Sequence, residues 1–287
     1  MRTIIIPFTN SAFRLIFEDC TLADNFAATF GPASPYEERS DRIIEITGKG
    51  NMPYSVRLDG KTVRDGLSRD EAAYSVSRVF GDDICSHVSA SVCVMHAASV
   101  LIDDTVVSFS GASGSGKTTL SLFFSEYGSY VGDEYAFLDM ETGRLWHEQH
   151  PFQLKESNAA LFIPDIASPA VLAVQGEFGR AYYASLAFTN RKNAKHTERF
   201  KLGVLVFPRF DPGYGQTVIN NLPMSKLPDV VLQSLMGQAP PSLLLGRFIK
   251  MAARERLKFL EIRFSDGAGA AEKLYAHIQK YTGETKR

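Results

Sequence analysis

The eight residues Gly111-Ala112-Ser113-Gly114-Ser115-Gly116-Lys117-Thr118 fit the spacing G-x-x-x-x-G-K-[ST], directly after an apolar run and directly before a helical pattern. Few folds accommodate such a loop. Phosphate oxygens need several converging N–H donors, and only glycine lets a backbone curl with positive φ while approaching a ligand closely. An apolar strand from Thr105 to Ser110 and a helix from Thr118 to Ser125 on either side of the loop predict an α/β fold. In this pattern Gly111, Ser113, Gly114, Ser115 and Gly116 cradle phosphates, and Lys117 reaches the β and γ phosphates of ATP. The Thr118 hydroxyl ligates Mg2+, and Thr119 touches another phosphate. A Gly/Ser-rich surface turn would account for the glycines but not for the lysine, the threonine and both flanking elements.

Composition confines phosphate recognition to this locality. Lys and Arg total 31 against 32 for Asp and Glu, and the net charge of -1 leaves no broad basic footprint for nucleic acid or an anionic membrane. Cys20, Cys85 and Cys93 lack C-x-x-C spacing and disulfide density, which predicts reduced thiols in a cytoplasmic protein. The run Ile4-Ile5-Ile6 stops at Pro7, too short for a signal-peptide core.

Residues 1–90 alternate short β-like runs, such as Phe13 to Phe17, with polar stretches, and carry no motif. Ala72, Ala73, Val76 and Val79 predict a helix over residues 69–80, with a domain boundary near residue 90. Beyond it, residues 92–102 and 105–110 predict a hairpin that feeds the glycine loop. Residues 203–207 predict a strand, and residues 227–236, 243–259 and 270–281 predict helices.

Asp133-Glu134 lies within a β-like stretch from Tyr130 to Leu138 and begins 16 residues after Lys117. The chain therefore makes one short helix and returns at once in the next strand. ATPases of the AAA and ABC types place their acid pair much further downstream, and neither an LSGGQ-like nor an NKxD-like segment occurs. Two adjacent carboxylates beside a metal and a triphosphate meet both needs of phosphoryl transfer, charge neutralisation and orientation of the nucleophile. Adjacent strand residues point to opposite faces, so a strand end with only one acid in the site is the competing reading.

From about residue 92 to 140 the chain resembles the catalytic domain of HPr kinase/phosphorylase, within the phosphoenolpyruvate carboxykinase-like group of P-loop proteins. The likeness rests on His96, 15 residues before Gly111, on the GxSGxGK[ST] form of the loop, and on Gly132-Asp133-Glu134. The segments Asp139 to Gly143, Pro151 to Lys155 and Arg209-Phe210-Asp211-Pro212-Gly213 are similar to HPr-kinase-like relatives, some of which modify ribosomal peptides. The second acid is Glu134 where HPr kinases have Asp, and their following arginine-glycine signature is not seen here, which counts against HPr itself as substrate. Chemistry and resemblance together imply that Asp133 holds magnesium and Glu134 accepts the proton of the attacking hydroxyl, with the reverse assignment open. The resemblance also implies that His96 orients the base or stabilises charge beside them. Lys155 and Arg209 are candidates for a second cation at the transferred phosphoryl, and equally for ordinary loop charges. Trp146 reads as a half-buried strand aromatic, with stacking on adenine as the alternative.

The expectation is an α/β P-loop kinase domain of HPr kinase-like type over residues 91–287. Residues 1–90 form a smaller β-rich region that caps the site or selects the substrate. The implied partners are ATP, Mg2+ and a hydroxyl acceptor, a serine or threonine of a peptide or protein being favoured by the resemblance and a small-molecule alcohol left open. A homo-oligomer is compatible with this reading. A nucleotide-sensing protein without transfer is the rival, opposed by the intact Lys117 and acid pair, and a simple ATP hydrolase is a third reading.

Overall fold

A computed structural model of the chain describes residues 1–8, 11–30, 42–89, 91–147, 151–176, 179–185, 192, 194, 198–236 and 239–284. The chain divides into two compact units, one of residues 1–84 and 148–190 and the other of residues 85–147 and 191–287. The sequence predicts a single domain from residue 91 onward. Residues 148–190 instead group with the first unit, because the strands at residues 171–176 and 179–184 pack on the helix at residues 20–30.

The first unit holds β1 (Arg2–Phe8), β2 (Ser11–Phe17), β3 (Arg42–Thr47), β4 (Tyr54–Leu58) and β5 (Lys61–Leu67) in one sheet, in that order. Only β2 and β3 run parallel, and the helix α1 (Cys20–Phe30) supplies the crossover that a parallel pair needs. Alternation puts Phe13, Leu15, Phe17, Ile44 and Ile46 in the core. Helix α1 starts on Asp19, whose Oδ1 accepts the N–H groups of Thr21 and Leu22. Helix α2 (Arg69–His87) starts on a reciprocal pair, Ser68 N–H to Glu71 Oε2 at 2.8 Å and Glu71 N–H to Ser68 Oγ at 3.3 Å.

The second unit holds the larger sheet. Strands β6 (Val92–Ile102) and β7 (Thr105–Ser110) form the expected hairpin, followed by the loop and α3 (Lys117–Phe124). The returning strand is split into β8 (Ser129–Gly132) and β9 (Tyr135–Asp139), both antiparallel to β6, and β10 (Arg144–His147) lies beside β9. The remainder of residues 148–190 then contributes β11 (Phe152–Lys155), α4 (Glu156–Phe162), β12 (Val171–Gly176) and β13 (Gly179–Ala184) to the first unit as a three-stranded sheet. Tyr183 of β13 ties that sheet to α2 by a 2.6 Å hydrogen bond with Ser77.

Back in the second unit, β14 (Phe200–Phe210) and β17 (Lys258–Phe264) run parallel to β7, with the edge strand β15 (Val218–Asn221) antiparallel to β17. Two helical expectations are corrected here. Over residues 227–236 only α5 (Leu227–Val231) is helical, and β16 (Leu235–Met236) pairs with Val94 and Met95. Over residues 243–259 the helix α6 (Pro241–Arg254) ends at Glu255, because Arg256 takes a left-handed φ of 55° and the alternating Lys258–Phe264 segment then enters the sheet core. The last helix, α7 (Gly267–Glu284), starts on Asp266, whose side chain accepts from Ala268 and Gly269. Among the described residues no helix is long and apolar enough to cross a membrane.

Candidate active site

Strands β7, β14 and β17 are parallel, so their carboxyl ends emerge at one edge of the sheet, where open α/β sheets receive ligands. The glycine loop occupies this edge. Gly111, Gly114 and Gly116 have φ of 151°, 82° and 95°, a left-handed sequence that alanine tolerates poorly. At Gly116 space also forbids a side chain, since a Cβ would lie 2.9 Å from Phe264 Cζ and 3.3 Å from Phe210 Cβ. The loop is pinned to the neighbouring strand by the Phe210 N–H, which donates to Ser115 O at 3.0 Å. Helix α3 begins on Gly116 with no side-chain cap, as α4, α5 and α6 also begin without one.

Lys117 is buried, and its ammonium donates to Gly111 O at 2.9 Å and Ala112 O at 3.1 Å. These are neutral carbonyls of its own loop, contacts that phosphate oxygens can replace with stronger charge-assisted ones. Ser113 and Gly114 are exposed at the loop tip, and Thr119 sits in the first turn of α3 with its methyl toward Gly267.

The acid pair lies beside the start of α3. Gly132 stands opposite Ser99 and Tyr135 opposite His96, which puts Asp133 and Glu134 across from the small residues Ala98 and Ala97. Asp133 is 1% exposed, and its Oδ2 accepts the Thr118 hydroxyl at 2.8 Å. Its other oxygen, Oδ1, is buried with no hydrogen-bond partner. Burial, reinforced by the charge on Glu134, pushes this carboxyl up to about 6. Two oxygen donors with one carboxylate lone-pair set unsatisfied suit a hard divalent cation such as Mg2+, which takes one or two carboxylates and completes its shell with phosphate oxygens and water.

Glu134 has a left-handed φ of 67°, and the Tyr135 N–H donates to Asp133 O at 2.9 Å, closing a three-residue γ-type turn around it. This turn resolves the alternation problem posed by adjacent strand residues. It re-aims Glu134, whose Oε2 lies 3.3 Å from His96 Nε2, with both side chains partly exposed. A non-glycine residue held at positive φ stores strain of about 1–3 kcal/mol, a cost that concentrates at functional sites.

Arg209 and Arg263 are register partners at the ends of β14 and β17 and so lie on one face, and Arg209 is exposed. Arg263 escaped sequence reasoning because the helical reading stopped at residue 259 and left its strand unassigned. It bonds Asp211 Oδ2 through Nε at 3.2 Å and lies 4.0 Å over the Tyr214 ring, and its hydrogen bonding holds Asp211 below the usual carboxylate range. The structure therefore brings together His96, the loop, Lys117, Thr118, Asp133, Glu134 and the strand end bearing Arg209. Lys155 ends β11 in the other unit. Trp146 is buried in β10, stacked on Phe137 at 5.5 Å with Arg199 over its ring, which removes it as an adenine platform.

No family model and no curated protein matches the chain. Among solved structures it is similar to the Hpr(Ser) kinase/phosphatase from Coxiella burnetii, with 12% identity and a TM-score of 0.34, over 68% of this chain and 99% of that one.

Proposed function

We propose that the protein is an ATP-dependent kinase that transfers the γ-phosphoryl group to a hydroxyl, with a serine or threonine of a peptide or protein as acceptor. The observation that carries this reading is the pairing of Thr118 with a buried, half-satisfied Asp133 next to a strained Glu134 that faces His96. A passive nucleotide sensor has no use for a second acid held in a costly conformation. A hydrolase is separated from a kinase only by its acceptor, and the likeness of the motif residues to HPr kinases favours the kinase.

In this reading the loop N–H groups and Lys117 bind the β and γ phosphates. Thr118 and Asp133 hold Mg2+, which neutralises charge on the phosphate oxygens when bound. Glu134 accepts the proton of the acceptor hydroxyl as the new O–P bond forms and the bond to the β-phosphate oxygen breaks, releasing ADP. His96 orients Glu134, and Arg209 meets charge on the transferred group. Incubation with γ-labelled ATP, Mg2+ and fractionated cell extract, followed by mass spectrometry, tests the proposal: label on a peptide or protein hydroxyl is expected. Release of inorganic phosphate at the same rate with and without extract would replace the kinase by a hydrolase.

A further inference from the structure

Behind the acid pair lies a buried polar group with no part in these steps. His147 is 2% exposed, and its Nε2 lies 2.9 Å from Ser99 Oγ, which in turn lies 2.9 Å from Ser108 Oγ. Ser99 and Ser108 are cross-strand partners on β6 and β7, and both are completely buried. Three polar side chains inside a sheet must satisfy one another or destabilise it, a demand that three apolar residues would not make.

Their position explains their presence. Ser99 is also the cross-strand partner of Gly132, the residue before Asp133. The His147 side chain approaches Gly132 so closely that a Cβ there would lie within 2.6 Å of three of its atoms. Gly132 is not among the positive-φ glycines, so the missing side chain serves this approach and not a special backbone angle. The hydrogen bond to Ser99 fixes the rotation of the imidazole, and the imidazole forms the wall against which the Gly132–Asp133 backbone rests.

We infer that His147, held by Ser99 and Ser108, is a positioning residue that aims the Asp133 carboxylate at Thr118 and the metal. This rests on the assignment of Thr118 and Asp133 as metal ligands. Groups one step behind a metal ligand are typically worth about 10–100-fold in metal affinity or activity.

The test uses the full chain with Mn2+ and ADP as probes. Free Mn2+ is counted by electron paramagnetic resonance, and ADP affinity is measured separately in chelator. Ser99→Ala is expected to weaken Mn2+ binding to the ADP complex about tenfold, with ADP affinity in chelator unchanged. His147→Leu should do the same, and His147→Gln, whose amide nitrogen can take the place of Nε2, should recover most of the loss. Should His147→Leu fail to fold, Ser99→Ala, which removes a single oxygen, carries the test. Wild-type Mn2+ affinity in Ser99→Ala, an equal loss of metal-free ADP affinity, or no recovery in His147→Gln would overturn the positioning role. No Mn2+ binding by the wild-type ADP complex would overturn the metal-site reading along with it.

Discussion

The five-stranded sheet and the nine-stranded sheet bury different kinds of residue. On β2 and β3 the core positions Phe13, Leu15, Phe17, Ile44 and Ile46 are all apolar, and Arg42 pairs with the exposed Asp59 and with the buried Asp83 of α2. The sheet built on β6 and β7 buries Ser99, Ser108, Ser110, Asp133 and His147 among its strands, and Lys117 beside them. Apolar burial accounts for the strands of the first. In the second, polar groups give up hydration for hydrogen bonds with one another near one strand edge.

Lys117→Ala should produce the largest effect. Removing the one buried ammonium of the loop is expected to abolish transfer, because it takes away the cation that spans the β and γ phosphates, with weaker ATP binding by calorimetry. Unchanged turnover and affinity would mean that the polar interior of the second sheet serves no phosphate. Glu134→Gln comes next: transfer should fall by about 10²–10⁴-fold, the range for losing a general base, while ATP binding survives. If ATP and metal binding are lost instead, Asp133 takes the role of base.

Asp133→Asn sharpens the comparison through stability. In the metal-free protein its carboxyl is raised to about 6 from 3.8, mainly by burial. The folded state therefore binds the proton more tightly than the unfolded chain. The resulting destabilisation is complete above the folded value and disappears as pH falls from about 6 toward 4. At pH 7 the asparagine variant should melt a few degrees higher without metal, an advantage that vanishes at pH 4, and it should need more Mg2+ for activity. A lower melting point at pH 7 would show that Asp133 is a stabilising group like those of the first sheet. Leu15→Ala should act on transfer least. It is expected to cost about 2–5 kcal/mol of stability, read by denaturant unfolding, with ADP affinity unchanged below the transition.

The loop was legible because its chemistry is contiguous: eight neighbouring residues specify glycine curvature, cation and hydroxyl together. The hairpin and the short return to Asp133 were legible for the same local reason. What stayed hidden depends on distant partners. The left-handed turn at Glu134 has no glycine or asparagine to announce it. Arg263 meets Arg209 only through a strand register, and β17 follows α6 after a break at Arg256 that carries no sequence signature. The polar chain from His147 to Ser108 joins three strands, and each residue alone reads as an ordinary strand position.

The return of residues 148–190 to the first unit has a consequence for synthesis. A nascent chain that has reached residue 90 possesses the five strands and α2 but lacks β13, whose Tyr183 bonds Ser77 and lies tilted beside the Phe30 ring. That unit therefore waits for some hundred further residues to leave the ribosome, during which apolar faces of α1 and α2 stay uncovered. A fragment ending at residue 90 is expected to aggregate when expressed alone, and chaperone dependence should be greatest for ribosome-bound chains arrested between residues 90 and 190.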